Sequence, residues 1–331
     1  MWLDDDLLYD EKRAMKLFNE MVKANLRMTW DASNGLIAAS CSFDCMKAAA
    51  DSGCIGVRIG MESGNPKILR DIVKPGTVKN FLKAAENLKR IPEINSQVFV
   101  MLGFPGETFR MILDTIDVCI QMDLDWYGIN VLAPLPNTPI YDSMLDEGLI
   151  DSADFESMSY TAGNYGKLKN NPRRIDLLSR NFKSAFDVNL DTVPNKEELD
   201  HIWAYMNFHI NFVRLFDESR SIKISQQYKW LRYVCDQVSP ENVIAKYFFA
   251  YLHFKMNGEV LNSVINEIEE ILKTDEYWNQ RFIDFNLTID QLRESNFDNN
   301  TFVQQERSRL KSEGKSYDDL LRAHVRSNIR G

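Results

Sequence analysis

Apolar positions in the first part of the chain follow two different spacings, one typical of helices and one typical of strands. Helical spacing predicts a helix that begins after Asp10, with Met15, Phe18, Met21 and Val22 on its apolar face. Dense β-type runs predict strands elsewhere, and these runs are LRMTW, CIGVRIG, SQVFVML and WYGINVLAPL. Further helices are predicted at Ser42–Ala50, after Asn65-Pro66, over Val78–Leu88 and over Gly106–Met122.

This alternation of strand and helix predicts a parallel sheet. Each strand must be followed by a crossover connection before the next parallel strand can pair with it. Together with a short N-terminal strand at Trp2-Leu3, the four units predict a barrel or part of one. A flat, doubly wound sheet is the alternative that the pattern alone leaves open.

The pattern changes from about Ser143 onwards. Polar turns such as GNYGKLKNNPRR predict irregular chain with one helix near Arg174–Phe186. Short loops then separate successive helical segments, which predicts antiparallel hairpins. These segments are Glu197–Phe216, Ile222–Val238, Pro240–Met256 and Glu259–Lys273. We therefore expect an α/β core at residues 1–145, a connecting segment at 146–195, an all-α helical domain at 196–290 and a polar tail at 291–331.

Composition narrows the classes of function. The chain has 44% hydrophobic and 26% charged residues, the balance of a globular protein. Its net charge of −9 argues against nucleic-acid binding, which needs a basic face. The sequence contains no apolar run of about 18 residues, so no membrane span is predicted. Because the N-terminus is acidic where a signal peptide would be basic, we expect a cytoplasmic protein.

Cysteine and histidine positions give weak signals. The cysteines are five in number, which does not favour a disulfide framework. Cys41 and Cys45 could share a helix face, but no second close pair completes a zinc site, and buried packing is the plainer interpretation. His201 and His209 could also share a helix face, and we expect packing roles for both. The sequence predicts no metal ligand and identifies no catalytic residue.

Polar and glycine residues stand where predicted strands end. In GFPGET, Gly103 and Gly106 would let the backbone take positive φ and approach a ligand, with N–H groups directed into the mouth of a barrel. A plain strand–turn–helix is the alternative, and in either case Glu107 is expected to complement the helix N-terminus. In ESGN, Glu62 and Ser63 follow a strand and would face a pocket, whereas the alternative is a helix cap at Ser63 or Asn65.

Four segments in this order resemble the radical SAM superfamily, in the branch whose members often carry a cobalamin-binding domain in front. They are WLDDDLLYDEKRA, GCIGVRIGMESGN, VFVMLGFPGET and APLPNTPIY. The resemblance covers Met1 to about Ser143, less than half of the chain. It implies a partial radical-SAM-type (β/α) barrel ahead of the helical domain.

The resemblance also implies contacts with S-adenosylmethionine. In the family, the GFPGET segment contacts the adenine, the ESGN segment approaches the methionyl or ribose part, and an aspartate after an apolar strand binds the amino group. A solvated acidic terminus is the alternative for the aspartates, and the role of Asp6 stays open because the family often has Asn there. The implied contacts are Asp5, Glu62, Ser63, Gly103, Phe104, Pro105 and Gly106.

The sequence departs from the family at the iron–sulfur cluster. Members bind a 4Fe–4S cluster through three cysteines in a C-x3-C-x2-C loop after the first barrel strand, and no cysteines here have that spacing. We expect the chain to be truncated before this loop and, alone, to be inactive. The intact enzyme would cleave S-adenosylmethionine reductively, with an external electron donor, and form a 5′-deoxyadenosyl radical that acts on an unknown substrate.

Two other functions are compatible with the residues. A cluster-free remnant could act as a binding or scaffold module, with the helical domain as its contact surface. An ordinary (β/α) barrel enzyme with a different ligand is the third hypothesis, and it predicts no binding of S-adenosylmethionine. Neither the substrate nor the reaction type is indicated by the sequence.

Overall fold

The structure of the protein is a computed structural model that describes residues 1–2, 6–148, 150, 175–179 and 182–297. Cα packing divides the chain into two compact units. The first comprises Met1–Arg174 and Asp187–Asn207, and the second comprises Ile175–Phe186 and Phe208–Gly331. The predicted tail beyond residue 297 and most of the predicted connecting segment lie outside the described residues.

A parallel sheet of four strands forms the centre of the first unit. The strands are β1 (Trp30–Leu36), β2 (Cys54–Glu62), β3 (Asn95–Leu102) and β4 (Trp126–Val131). Each strand pairs in parallel with the next one along the sequence, in the order β1-β2-β3-β4. The order never reverses, as it would in a doubly wound sheet, so the strands form an arc of the barrel type. The predicted α/β class is confirmed.

Helices connect the strands, as the alternating pattern predicts. They are α1 (Glu11–Lys23), α2 (Phe43–Asp51), α3 (Pro66–Asp71), α4 (Val78–Lys89), α5 (Phe109–Met122) and α6 (Pro139–Asp146). Asp10 caps α1 by accepting a hydrogen bond from the Arg13 N–H, as predicted. Phe18 and Met21 of that helix are buried, whereas Val22 is 48% exposed.

The start of the sheet differs from the prediction. The LRMTW run was expected to form a strand, but β1 begins at Trp30 and continues through DASNGL. Leu26 and Met28 are 50% and 49% exposed, so neither has a core to pack against. Before β1, the Trp2 N–H donates to the Asp31 carbonyl at 2.9 Å and Trp2 bridges Ala32 in parallel, while Leu3 lies outside the described residues.

The two faces of the sheet differ in chemistry. On β2, Val57, Ile59 and Met61 are buried beneath the helices, at 2%, 0% and 0% exposure. The alternating residues Arg58 and Glu62 face the other side and are partly exposed. Because successive strand residues point to opposite faces, the second side, here called the inner face, carries polar and glycine positions.

The outer edge of β4 is covered by a later helix of the same unit. This helix, α8 (Lys196–Met206), follows the short helix α7 (Phe182–Phe186) in the sequence. The indole N–H of Trp203 donates to the Ile129 carbonyl at 2.8 Å. An unpaired carbonyl on an edge strand would otherwise be open to another chain, so the indole closes part of that edge.

The second unit is helical, as predicted. Its helices include α9 (Ser221–Tyr233), α10 (Val243–Asn257), α11 (Asn262–Thr274), α12 (Glu276–Asp284) and the short α13 (Ile289–Arg293). α10 packs on both α9 and α11, and its Tyr247 and Phe248 are fully buried. Aromatic rings fill this core, including Phe208 stacked on Phe285 with centroids 4.0 Å apart.

Two predicted helices of this region are not continuous α-helices. Beyond α8 the chain widens into a π-helix at Asn207–Phe212 and then narrows to a 3-10 helix at Val213–Phe216. A second π-helical turn, Val234–Val238, follows α9. His209 lies in the first of these segments, where its Nε2 makes a 2.8 Å hydrogen bond to the Leu177 carbonyl. This contact agrees with the packing role expected of His209. None of the described helices is long and apolar enough to cross a membrane.

Gly64 provides a test of how closely the turn after β2 packs on α5. A Cβ at Gly64 would lie 2.7 Å from the Thr115 Cα and 2.9 Å from the Asp114 carbonyl oxygen, which is too close for backbone atoms to accommodate. We predict that Gly64→Ala lowers the free energy of unfolding by about 1–3 kcal/mol in urea denaturation. Gly56→Ala is the control, since its nearest contact would be an ordinary 3.5 Å. Equal losses in the two variants would contradict the packing account.

Candidate cofactor site at the carboxyl edge of the sheet

Two of the predicted cofactor segments meet at one edge of the sheet. β2 ends at Glu62, and β3 ends at Leu102, immediately before Gly103. The strands pair in parallel up to Glu62 and Val100, so their carboxyl ends are neighbours. Glu62-Ser63 and the segment Gly103–Gly106 therefore lie at the same edge of the sheet, the edge where α/β folds bind ligands.

A buried carboxylate holds the Gly103–Gly106 loop. Glu107 is 0% exposed, and its Oε2 accepts hydrogen bonds from the N–H groups of Gly103 at 2.7 Å and Phe104 at 3.2 Å. The Glu107 N–H donates to the Phe104 carbonyl. The expectation that the N–H groups of this loop point towards a ligand is therefore wrong for Gly103 and Phe104. Their N–H groups turn towards a side chain from the same loop.

The exposed part of this loop is its tip. Phe104 is buried, Pro105 is partly exposed and Gly106 is exposed. Gly103 and Gly106 have φ of 84° and 69°, as their predicted role requires. A Cβ added at Gly106 would have no atom within 4 Å, so a ligand can approach the backbone there.

Backbone carbonyls from a later segment of the chain accept hydrogen bonds from the first N–H groups of α5. The Phe109 N–H donates to the Thr192 carbonyl at 3.0 Å and the Arg110 N–H donates to the Leu190 carbonyl at 2.8 Å. Thr108 is the N-cap, with its side chain accepting from the Met111 N–H. These first N–H groups of α5 are therefore not free to bind an anion.

Glu62 has an unusual backbone conformation. Its φ is 64°, a left-handed value that costs energy for a residue with a side chain and recurs at ligand sites. Its carboxylate pairs with Lys74 Nζ at 2.9 Å, and the two side chains are 21% and 26% exposed. Glu62 is therefore oriented by a cation and still accessible at the sheet edge.

Ser63 is buried in the turn and bonded to α5. Its hydroxyl lies 3.2 Å from Thr115 Oγ1 and accepts the Asn65 N–H at 3.1 Å. Thr115 Oγ1 in turn accepts the Gly64 N–H at 2.9 Å. Asn65 caps α3 through its Oδ1, so the cap named as an alternative is present at Asn65. The Ser63 side chain fixes the shape of the turn from inside.

Of the three N-terminal aspartates, only Asp6 is among the described residues. Asp5 lies outside the described residues. Asp6 Oδ1 accepts a hydrogen bond from the Leu8 N–H at 3.0 Å, which organises the turn ahead of α1. The predicted contact of Asp5 with the amino group of a cofactor stays a prediction.

The cysteines do not fit a metal cluster. All five are buried. Burial raises the pKa of Cys45 to about 11 and of Cys54 and Cys235 to about 12, and it raises the pKa of Cys41 and Cys119 further still. Iron is bound by the thiolate, which a raised pKa disfavours. Within the described part of the chain, no group of three or more Cys, His, Asp or Glu residues converges on a metal position.

Sequence reasoning missed the partners that orient the site. Lys74 pairs with Glu62 from twelve residues away, and Thr115 secures the turn from α5, and neither lies in a recognisable motif. Arg58 on the inner face donates to Gln97 Oε1 at 3.0 Å and to the Ser33 carbonyl at 3.2 Å. The strict alternation of β2 and β3 is the signal that places Arg58 and Gln97 on one face of the sheet, since the two residues are paired across these strands.

The titration of Glu107 tests the buried carboxylate. Burial raises the pKa of Glu107 from 4.5 to about 7, and the two backbone N–H bonds offset part of that rise. The folded state thus keeps a proton that the unfolded chain releases between these values, so the folded state loses stability as pH rises through this window. We predict that the free energy of unfolding of Glu107→Gln, relative to the unmodified protein, increases from pH 5 to pH 8 by up to about 3 kcal/mol.

Urea unfolding at the two pH values measures this difference. The control is Glu86→Gln on α4, where the carboxylate is 66% exposed and contacts Lys83. Because the Lys83–Glu86 pair is exposed, its effect on stability should be small at both pH values. A Glu107→Gln difference that does not change with pH would contradict the placement of this carboxylate in a buried loop.

Comparisons with known proteins agree with this geometry. Residues 1–119 match the model of the radical SAM superfamily. An uncharacterised methyltransferase of Pyrococcus horikoshii is 26% identical over 149 residues, which are 45% of this chain and 32% of that protein. The bacteriochlorophyllide d C-12(1)-methyltransferase of Chlorobaculum tepidum is 27% identical over 146 residues, which are 44% of this chain and 31% of that protein.

A third relative has a different name. The tRNA-2-methylthio-N(6)-dimethylallyladenosine synthase of a Sulfurihydrogenibium species is 31% identical over 107 residues, 31% of this chain and 24% of that protein. The chain thus spans about a third or less of the length of these curated relatives. The matched residues contain the sheet edge with Glu62 and Gly103–Gly106, and the N-terminal part of this chain is a radical SAM superfamily core.

Proposed function

We propose that the first unit binds S-adenosylmethionine at the carboxyl edge of β2 and β3, as part of a radical SAM enzyme. The observation that carries the proposal is the pairing, at one edge, of an accessible left-handed Glu62 with a loop tip at Gly106 that has no atom within 4 Å of an added Cβ. Such a tip lets a flat ring approach the backbone.

The residues divide the work of binding. Glu62 offers a carboxylate to the polar part of the cofactor, and Lys74 holds that carboxylate in place. Pro105 and Gly106 offer backbone and apolar surface to the adenine, while Gly103 and Phe104 shape the loop through Glu107. Ser63 acts from inside the turn, and Asp5 would contribute to the amino group of the cofactor.

A buried oxygen also supports a ligand at this edge. Glu107 Oε1 has no hydrogen-bond partner among the described residues, although less than 1 Å² of it is accessible. Buried polar atoms without a partner are uncommon and are often satisfied by a water molecule or a bound ligand. The loop that carries this atom is the one assigned to adenine.

The cysteines of this chain are not suited to bind a 4Fe–4S cluster. In the superfamily, a 4Fe–4S cluster and S-adenosylmethionine together supply the radical that removes hydrogen from the substrate. The five buried cysteines do not fit that cluster, so we derive no step through it. Its cysteines would have to come from outside the 331 residues, and an external electron donor would be needed. A cobalamin domain, as in part of the family, and a cytoplasmic location stay predictions.

A binding or scaffold module without a cluster is the second candidate. The observation that favours it is that every cysteine of the chain is buried with a raised pKa. The two candidates differ in what they expect at the sheet edge. The enzyme needs a cofactor site there that depends on Gly106, whereas a module without catalysis does not.

Substitution of Gly106 tests the proposed cofactor site. Asparagine tolerates a left-handed backbone, so Gly106→Asn adds a side chain with little strain and fills the space at the loop tip. We predict that isothermal titration of the chain with S-adenosylmethionine shows saturable binding, and that Gly106→Asn weakens it by at least about tenfold.

The matched control is Gly258→Asn at the C-cap of α10. Gly258 has φ of 71° and, like Gly106, no atom within 4 Å of an added Cβ, so the two substitutions carry similar backbone cost. Gly258→Asn should bind S-adenosylmethionine as the unmodified chain does. Absence of saturable binding, or equal affinity in both variants, would reject the site and favour the second candidate.

A further inference from the structure

The inner face of the sheet carries an arginine without an acidic partner. Arg58 is partly exposed, and its Nε and Nη1 donate to Gln97 Oε1 and to the Ser33 carbonyl, two uncharged groups. Among the described residues, no carboxylate lies within ion-pairing distance of this guanidinium. The two hydrogen bonds fix its orientation and leave further N–H donors for an anion.

The phenyl ring of Phe99 lies beside this arginine, and glycines occupy the paired positions on the neighbouring strands. Phe99 pairs with Gly60 on β2 and with Gly128 on β4. A Cβ built at Gly35 or Gly128 would lie 3.6 Å or 3.5 Å from carbons of the Phe99 ring. Glycines from three other strands therefore surround the ring, and Phe99 itself is partly exposed. The positions level with the ring on those strands therefore carry no side chain, which leaves part of the aromatic surface uncovered.

The charges near this surface are of both signs. Lys74 reaches over Gly60, where an added Cβ would lie 3.0 Å from its Nζ, but Lys74 is paired with Glu62. Asp31 of β1 lies 3.8 Å from the Met1 amino group. Because Lys74 and Glu62 neutralise each other, Arg58 supplies a positive charge that has no carboxylate partner among the described residues. Its Cζ lies 5.9 Å from the centre of the Phe99 ring, so one ligand can contact both.

We propose that the inner face of β2 and β3 binds a planar conjugated ring that carries an anionic group, with the ring against Phe99 and the anion on Arg58. An Arg fork matches the geometry of a carboxylate or a phosphate, and an aromatic face binds a flat ring by offset stacking. The proposal deepens the proposed function, on which it rests for taking this face as the substrate side, and it names the class of substrate.

Fluorescence titration with 2-naphthoate, without S-adenosylmethionine, tests the surface directly. We expect saturable binding of 2-naphthoate by the unmodified chain, weaker binding of the uncharged 2-naphthalenemethanol and an affinity for the anion that falls with added salt. Comparison with 2-naphthyl phosphate tells which anionic group fits better. Arg58→Gln should weaken the binding of the anionic probes about tenfold or more and change that of the alcohol little.

Two further variants keep the outcome interpretable. Arg58→Lys retains the charge without the fork and should bind 2-naphthoate with intermediate affinity, and it serves where Arg58→Gln fails to fold. Arg90→Gln is the matched control, because Arg90 is an exposed arginine whose Cζ lies 3.6 Å from the centre of the Phe43 ring on the helix side. Arg90→Gln should bind all probes as the unmodified chain does.

Absence of binding by both anionic probes, or equal binding by the unmodified chain and both Arg58 variants, would overturn the proposal. Titration with S-adenosylmethionine separates this failure from failure of the cofactor site. A chain that binds the cofactor through Gly106 but no naphthyl anion keeps the proposed function and loses this substrate class. A chain that binds naphthyl anions through Arg58 but no S-adenosylmethionine keeps the anionic surface and loses the cofactor site.

Discussion

The hydrogen bonds between the Glu107 carboxylate and the N–H groups of Gly103 and Phe104 hold the edge of the sheet in shape. They turn the chain through a tight loop between β3 and α5, and they leave Gly106 as the exposed tip. Burial of a carboxylate is costly unless it is hydrogen-bonded, and the raised pKa of Glu107 expresses that cost. In exchange for this cost, the buried Glu107 fixes the backbone of the loop at the sheet edge where a ligand would bind.

The neighbouring turn depends on the same helix. Ser63 and Gly64 bond to Thr115 of α5, and α5 is the helix that follows the loop after β3, so the turn and the loop are joined through one helix. The bonds of Ser63 and Gly64 to Thr115 hold the residues that follow Glu62, which keeps a left-handed backbone at the end of its strand. The two segments assigned to the cofactor are therefore one structural unit, although almost forty residues separate them in the sequence.

Much of this fold could be predicted from the sequence because it depends on local patterns. The alternation of strands and helices, the Asp10 cap and the glycines with positive φ each depend on residues that are close together in the sequence. The position of β1 could not, since Trp30 is placed by pairing with Cys54 rather than by its own run of apolar residues. The N–H groups of Gly103 and Phe104 were assigned to a ligand because the sequence does not show that Glu107 folds back onto them. Lys74 and Arg58 were missed because their roles depend on partners in other elements.

Hydrogen exchange measured by mass spectrometry, with and without S-adenosylmethionine, tests the central claim that the cofactor binds at this edge. The account predicts slower exchange in peptides that cover the turn after Glu62 and the tip at Gly106, and no change in peptides from α10 and α11 of the second unit. Unchanged exchange at both turns under saturating ligand, or protection confined to the second unit, would contradict it.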